Sequence, residues 1–119
     1  EQKSIYNIVL EAQTKSIEGI KAGALCKDID SIARDHITKS GYGKYFDHGL
    51  GHSLGLEIHE NPRFSKVSKD TLEVNYVMTV EPGIYVKEVG GVRIEDDVIV
   101  KESGAEILNK TSKELQIIS

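Results

Sequence analysis

Tyr76 to Val100 reads YVMTVEPGIYVKEVGGVRIEDDVIV, and this stretch decides the fold. Tyr76–Val80 is an apolar, β-branched run of the kind that suits a pleated surface. Pro82-Gly83 interrupts it and Ile84-Tyr85-Val86 resumes it. Gly90-Gly91 marks a hairpin turn. From Val92 to Val100 the residues alternate: Val92, Ile94, Val98 and Val100 share one face, and Arg93, Glu95 and Asp97 the other. A hairpin centred near Glu88 sets Glu81 directly opposite Glu95. Opposed residues have Cβ atoms about 4.5–5.5 Å apart, and like charges there are destabilising. A shared proton, the Arg93 guanidinium or a metal cation can offset the repulsion. Carboxylates are hard oxygen ligands, which suits a divalent cation. The alternative is another register with one glutamate in solvent, because alternation by itself does not fix register.

Upstream lies a glycine-rich segment. Five of the eleven glycines fall between Gly41 and Gly55, with His48 and His52 among them and His59 just beyond. Clustered glycine lets the backbone turn sharply or approach another group closely. His48 and His52 are four apart. Glycine argues against a helix here, and on an extended chain the even spacing also keeps both on one face. His59 has odd parity relative to both and needs a turn, which Gly55 can supply. A lone histidine is by default a hydrogen-bonded structural residue; three within twelve positions point to a site. His36 has no such company and suits a helix end, where a cation complements the dipole.

The first third reads as two helices. Ile5, Ile8, Val9 and Ala12 recur at helical spacing, with Ile20 extending the stripe. Leu10 and Ile17 lie off it, so burial is expected to be broad. The second helix is expected to start near Cys26, with Asp28 and Asp30 favourable in its first turn. Ile29, Ile32, Ala33 and Ile37 form its face, and Gly41 is a natural C′ residue. Leu25, at its N-cap, has no side-chain oxygen to cap with. After the hairpin, Ser103-Gly104 marks a turn before a strand at Glu106–Leu108, and Leu115–Ile118 reads as a last strand. Helices first and strands later make the fold α+β, with one unit over residues 1–119.

Composition narrows the function. The 119 residues carry 15 Lys and Arg against 19 Asp and Glu, a net charge of −4, and mean hydropathy is −0.30. No basic stripe is present, so nucleic-acid binding is not expected. No apolar run reaches the roughly 18 residues of a membrane span. One cysteine, Cys26, excludes an internal disulfide and a cysteine zinc cluster, and favours a reducing, cytoplasmic setting. It reads as a small, partly buried thiol. No G-x-S-x-G elbow is present, and Gly49-Leu50-Gly51 has no βαβ context for dinucleotide binding. No signal peptide opens the chain. A chain that starts at Glu1 without methionine and runs straight into a helix pattern is expected to be a cut piece.

Three segments carry a resemblance. His48-Gly49-Leu50-Gly51-His52-Ser53-Leu54-Gly55-Leu56-Glu57-Ile58-His59-Glu60-Asn61-Pro62-Arg63 is similar to the histidine segment of Xaa-Pro aminopeptidases and prolidases, in the creatinase/methionine-aminopeptidase-like "pita-bread" superfamily. Val80-Glu81-Pro82-Gly83-Ile84-Tyr85 and Gly91-Val92-Arg93-Ile94-Glu95-Asp96-Asp97 resemble its next two segments, in order. The resemblance implies a dinuclear metallopeptidase that hydrolyses Xaa-Pro bonds, run with manganese or cobalt, with zinc or iron as alternatives. It implies His52, Glu81 and Glu95 as metal ligands, Glu95 as the bridging one. It implies Glu81, His48 and His59 as catalytic residues, with His59 at the scissile region and His48 lining the substrate pocket. Tyr85 and Arg93 correspond to the supporting shell.

The superfamily's two aspartate ligands lie upstream, in a D-x-G segment followed by S-D-x-T-R. Nothing here matches them; Asp28, Asp30 and Asp35 belong to the second helix. The resemblance therefore implies half of a pita-bread fold, two N-terminal helices followed by a mainly antiparallel sheet, and a chain inactive by itself. Its partners are expected to be a proline-containing peptide and, through the face left by the missing half, a second copy in a homodimer. Two alternatives stand. Methionine aminopeptidases share the glycine-histidine segment but end their last segment in Glu-His-Thr. A non-catalytic peptide- or protein-binding module would also lack the aspartates.

Overall fold

The computed structural model describes residues 2–54, 63–87, 89–109 and 117–118. Helix α1 (Gln2–Gly19) buries Ile5, Val9 and Ala12 as its pattern predicts, and also the polar Gln13 and Ser16. Ile8, Leu10 and Ile17 are partly buried beside them, the broad burial expected of an off-stripe set. Helix α2 (Cys26–Lys39) starts from Leu25 with no side-chain cap. The Cys26 amide is satisfied instead by the Asp70 carbonyl at 2.9 Å. At the other end Gly41 takes φ +94°. Its amide bonds Thr38 and the Tyr42 amide bonds Ile37, the pair of bonds that closes a helix through a left-handed residue.

Eight short strands follow: β1 (Gly51–His52), β2 (Arg63–Phe64), β3 (Val77–Val80), β4 (Gly83–Val86), β5 (Gly90–Arg93), β6 (Asp96–Lys101), β7 (Gly104–Asn109) and β8 (Ile117–Ile118). They form three antiparallel sheets, ordered β1-β2, β3-β6-β7 and β4-β5-β8. Helix α1 packs on α2 and reaches β3, β4, β5 and β7. The shared core includes Phe46, Leu50, Phe64, Met78, Ile84 and Val98. No helix among the described residues is long and apolar enough to cross a membrane.

The structure refines the strand reading in three places. The alternating run from Val92 to Val100 is two strands, broken at Ile94-Glu95 and shared between two sheets. Gly90 and Gly91 lie inside β5 rather than at the turn, which is closed by the Val89 amide on the Val86 carbonyl at 3.0 Å. The strand expected at Glu106–Leu108 extends over Gly104–Asn109. The last strand is present at Ile117–Ile118, paired with Val92 and Gly91. Leu115 lies outside the described residues.

Candidate active site

The two glutamates occupy a gap in one long hairpin. Val77↔Ile99, Met78↔Val98, Thr79↔Asp97 and Val80↔Asp96 pair on one side of the gap. Gly83↔Arg93, Ile84↔Val92, Tyr85↔Gly91 and Val86↔Gly90 pair on the other. Every pair is centred on position 88, so both ladders keep one register and Glu81 falls opposite Glu95. The ladder breaks at proline, which has no N–H to give. The Ile94 amide still reaches the Pro82 carbonyl at 3.3 Å, but Pro82 returns nothing. The gap therefore presents two carboxylates to each other. Partial desolvation, and next the Glu81 charge, push the Glu95 carboxyl above the ordinary glutamate value, with Arg93 and His52 pulling the other way.

The histidine segment lies along the free edge of β3. The Glu81 amide donates to Leu50 at 2.7 Å, the Leu54 amide to Val77 at 2.8 Å, and Ser53 bridges Met78. Between them the His52 amide donates to Thr79 Oγ1 at 2.9 Å. This approach requires Gly51: a Cβ there would run into the Thr79 carbonyl. Gly49 is similarly placed, with the Phe64 carbonyl 2.7 Å from any added Cβ.

Hydrogen bonds fix how both rings present themselves. His52 Nδ1 lies 3.0 Å from the Ser53 carbonyl, an acceptor only, so Nδ1 carries the proton. The other nitrogen, Nε2, is 3.8 Å from Glu81 Oε2. A bare imidazole lone pair facing a carboxylate admits a proton or a cation between them. Donation of the second ring nitrogen to a carbonyl is also how metal-bound histidines are oriented. His48 follows the same pattern: Nδ1 donates to Gly49 at 2.7 Å. The Tyr85 hydroxyl, 3.3 Å from His48 Nε2, donates to it. Burial pushes the Tyr85 phenol above its ordinary value, against the pull of Arg93, which keeps this donor protonated.

His48, His52, Glu81 and Arg93 line one open cleft of about 400 Å³, together with Arg63 and Phe64. The structure thus brings together six of the seven residues singled out from the sequence, with Tyr85 against His48 and Glu95 facing Glu81. The seventh, His59, lies outside the described residues.

One supporting pair has no counterpart in the sequence reading. Asp30 on α2 is fully buried. It takes Arg34 Nε at 2.9 Å, a second Arg34 nitrogen at 3.2 Å, and the Leu50 amide at 3.1 Å. Arg34 in turn donates to the Phe46 and His48 carbonyls, both at 2.9 Å, and stacks 4.4 Å from the Phe46 ring centre. The pair clamps the backbone on either side of His48. Its signal was the i, i+4 spacing of opposite charges on a helix.

Comparison with known proteins agrees with this arrangement. A profile of Metallopeptidase family M24 matches residues 1–102. The chain is 52% identical over 114 residues to an Xaa-Pro dipeptidase of Pyrococcus horikoshii, covering 96% of this chain and 32% of that one. It is 57% identical over 113 residues to an uncharacterized peptidase of Staphylococcus epidermidis, covering 95% and 32%. Among solved structures it superposes on an Xaa-Pro dipeptidase from Bacillus anthracis with TM-score 0.89 at 54% identity, covering 98% of this chain and 33% of that one. For the prolidase from Pyrococcus furiosus the TM-score is 0.87 at 53% identity, covering 92% and 33%. The chain spans about a third of the length of the curated relatives it matches.

Proposed function

Because the chain belongs to metallopeptidase family M24, we propose that residues 1–119 are the second half of the catalytic domain of a dinuclear-metal Xaa-Pro dipeptidase. The observation that carries this reading is the glutamate gap: Glu81 opposes Glu95 in a fixed register, and His52 Nε2 faces the Glu81 carboxylate. Among the described residues no three such side chains already stand close enough to make a metal cluster; the chemistry of one imidazole and two carboxylates would nonetheless suit a divalent first-row cation, manganese or cobalt before zinc or iron. His52, Glu81 and Glu95 would hold the metal. The family pattern adds two aspartates from a preceding segment of the same protein.

When bound, such ions supply a water acidic enough to ionise near neutral pH and polarise a peptide carbonyl. The chain's own residues do the rest. Glu81 accepts and returns a proton at its carboxylate. His48, held by the Tyr85 hydroxyl, lines the pocket for a peptide whose second residue is proline. Arg93 sets positive charge beside the two glutamates. By the family pattern, His59 would meet the scissile region and move protons there. Burial pushes the Cys26 thiol up to about 11, which keeps it protonated and unreactive; a lone cysteine suits a reducing cytoplasm, and two copies pair as a homodimer.

A manganese titration by calorimetry tests the site. Weak binding that disappears in His52→Ala is expected, with no useful Xaa-Pro cleavage until the aspartate segment is joined to the chain. Tight binding of two ions by residues 1–119 alone would overturn the half-site reading, as would weak binding that His52→Ala leaves unchanged.

A further inference from the structure

Gln13 is fully buried on α1, far from the cleft in sequence, and the function just proposed does not use it. Its side-chain Nε2 lies 3.3 Å from the Val80 carbonyl and 3.4 Å from the Ile94 carbonyl. Both partners accept only, so the amide must turn its NH2 to them, one proton to each. These carbonyls immediately precede Glu81 and Glu95. The peptide groups that Gln13 grips are therefore the ones whose nitrogens belong to the two glutamates.

The reason a side chain is needed here is Pro82. Pro82 and Ile94 face each other across the hairpin, and Ile94 donates to Pro82. The reciprocal bond, from residue 82 to the Ile94 carbonyl, cannot form because proline has no N–H. A buried carbonyl left without a donor is destabilising. Gln13 supplies the missing donor. With its second proton on Val80 it also ties together the two strand ends that border the gap. The grip extends further, because the Glu81 amide on the other side of the Val80 peptide bond donates to Leu50, between His48 and His52.

We infer that Gln13 is a positioning residue for the glutamate pair: it stands in for the absent proline N–H and fixes the spacing at which Glu81 and Glu95 meet a metal. The inference rests on the metal reading above. Its test separates the two. Gln13→Met keeps the side chain's length and shape and removes both donors. Backbone 15N shifts and cobalt(II) titration by visible absorption are measured in wild type and in this variant. Ser16→Ala serves as control: the Ser16 hydroxyl donates to the Gln13 carbonyl at 2.9 Å, so this variant removes a buried hydrogen bond from the same helical turn while leaving the Gln13 side-chain amide in place.

The expected result is that the Glu81 and Glu95 amide nitrogens move together in Gln13→Met and not in Ser16→Ala. The cobalt Kd should rise about tenfold or more, the usual effect of losing an outer-sphere partner, with the control within twofold. The double variant Gln13→Met/Pro82→Ala, which returns a backbone N–H at position 82, should recover the Glu95 shift. Unchanged glutamate shifts, or equal cobalt affinity in wild type and Gln13→Met, would overturn the inference while leaving the metal reading intact. A wild type that takes up no cobalt overturns the metal reading; the paired shifts then decide by themselves whether Gln13 sets the glutamate spacing. Should Gln13→Met not fold, exchange of the Gln13 side-chain amide protons in wild type decides: slow exchange supports the grip and solvent-like rates remove it.

Discussion

The glutamate hairpin and the histidine segment bring their side chains to one cleft by opposite means. In the hairpin, position follows from register. Eight residue pairs in two ladders share one centre, and an interruption at Pro82 leaves Glu81 and Glu95 facing each other without any loop to place them. Among the described residues of the histidine segment the regular structure is the two-residue β1, paired with β2 and laid against β3. Its backbone is held from outside, by the buried Asp30 and by Arg34 on α2. One region is aligned by repetition and the other by a clamp. Damage should therefore spread differently: a hairpin substitution acts on one pair, while loss of the clamp releases a whole segment.

The largest expected effect breaks the clamp. Asp30→Ala leaves the Arg34 charge and the Leu50 amide without their partner. Removing one member of a buried pair typically costs about 3–5 kcal/mol, readable in the midpoint of urea unfolding. The histidine ring signals should move in NMR spectra while the hairpin cross-strand contacts persist. A loss below about 1 kcal/mol would mean that the segment needs no clamp. Gly51→Ala comes next. Its methyl meets the Thr79 carbonyl, and crowding of this kind costs about 1–3 kcal/mol. It should separate β1 from β3 and weaken metal uptake, whereas Gly104→Ala, at a half-buried position where a Cβ meets nothing within 4 Å, should do neither.

The hairpin side yields smaller numbers. In the metal-free protein Glu81→Gln removes a like charge opposite Glu95 and should stabilise the fold by less than about 1 kcal/mol, because water screens a partly exposed pair. The same substitution should abolish manganese binding, so stability and binding move in opposite directions. The pH dependence carries the same signature. The Glu95 carboxyl is raised in the folded state above its ordinary 4.5. Its contribution is therefore fully present below 4.5 and is lost as pH rises through the raised value. Thermal melts of metal-free protein should show this decline, and Glu81→Gln should flatten it. A profile identical in both proteins would separate the two carboxylates and break the shared-gap description.

Much of this was legible in the sequence because it is local. The Cys26 start and Gly41 end of α2 follow from local spacing, and a hairpin centred near Glu88 with facing glutamates is one of the two registers that spacing within about twenty residues allows. The run from Val92 to Val100 was harder. Alternation continues through Ile94 and Glu95, and only the partner strand's proline reveals that the ladder stops there. The Asp30–Arg34 clamp and the Gln13 amide were not legible as parts of the site, because each acts on carbonyls that any residue type presents. A backbone acceptor leaves no trace in the identity of the residue that carries it. The chain belongs to metallopeptidase family M24, and its motif residues meet because one hairpin register and one buried ion pair carry them to the same cleft.

The two bonds of Gln13 span 67 and 81 residues of chain. Such separations place them among the last contacts a growing polypeptide can make. Both helices and the histidine segment are synthesised before Ile94, so the glutamate pair cannot be set to its final spacing while the chain is still short. On the proposed metal reading, capture of a cation by both glutamates would have to follow completion of the hairpin.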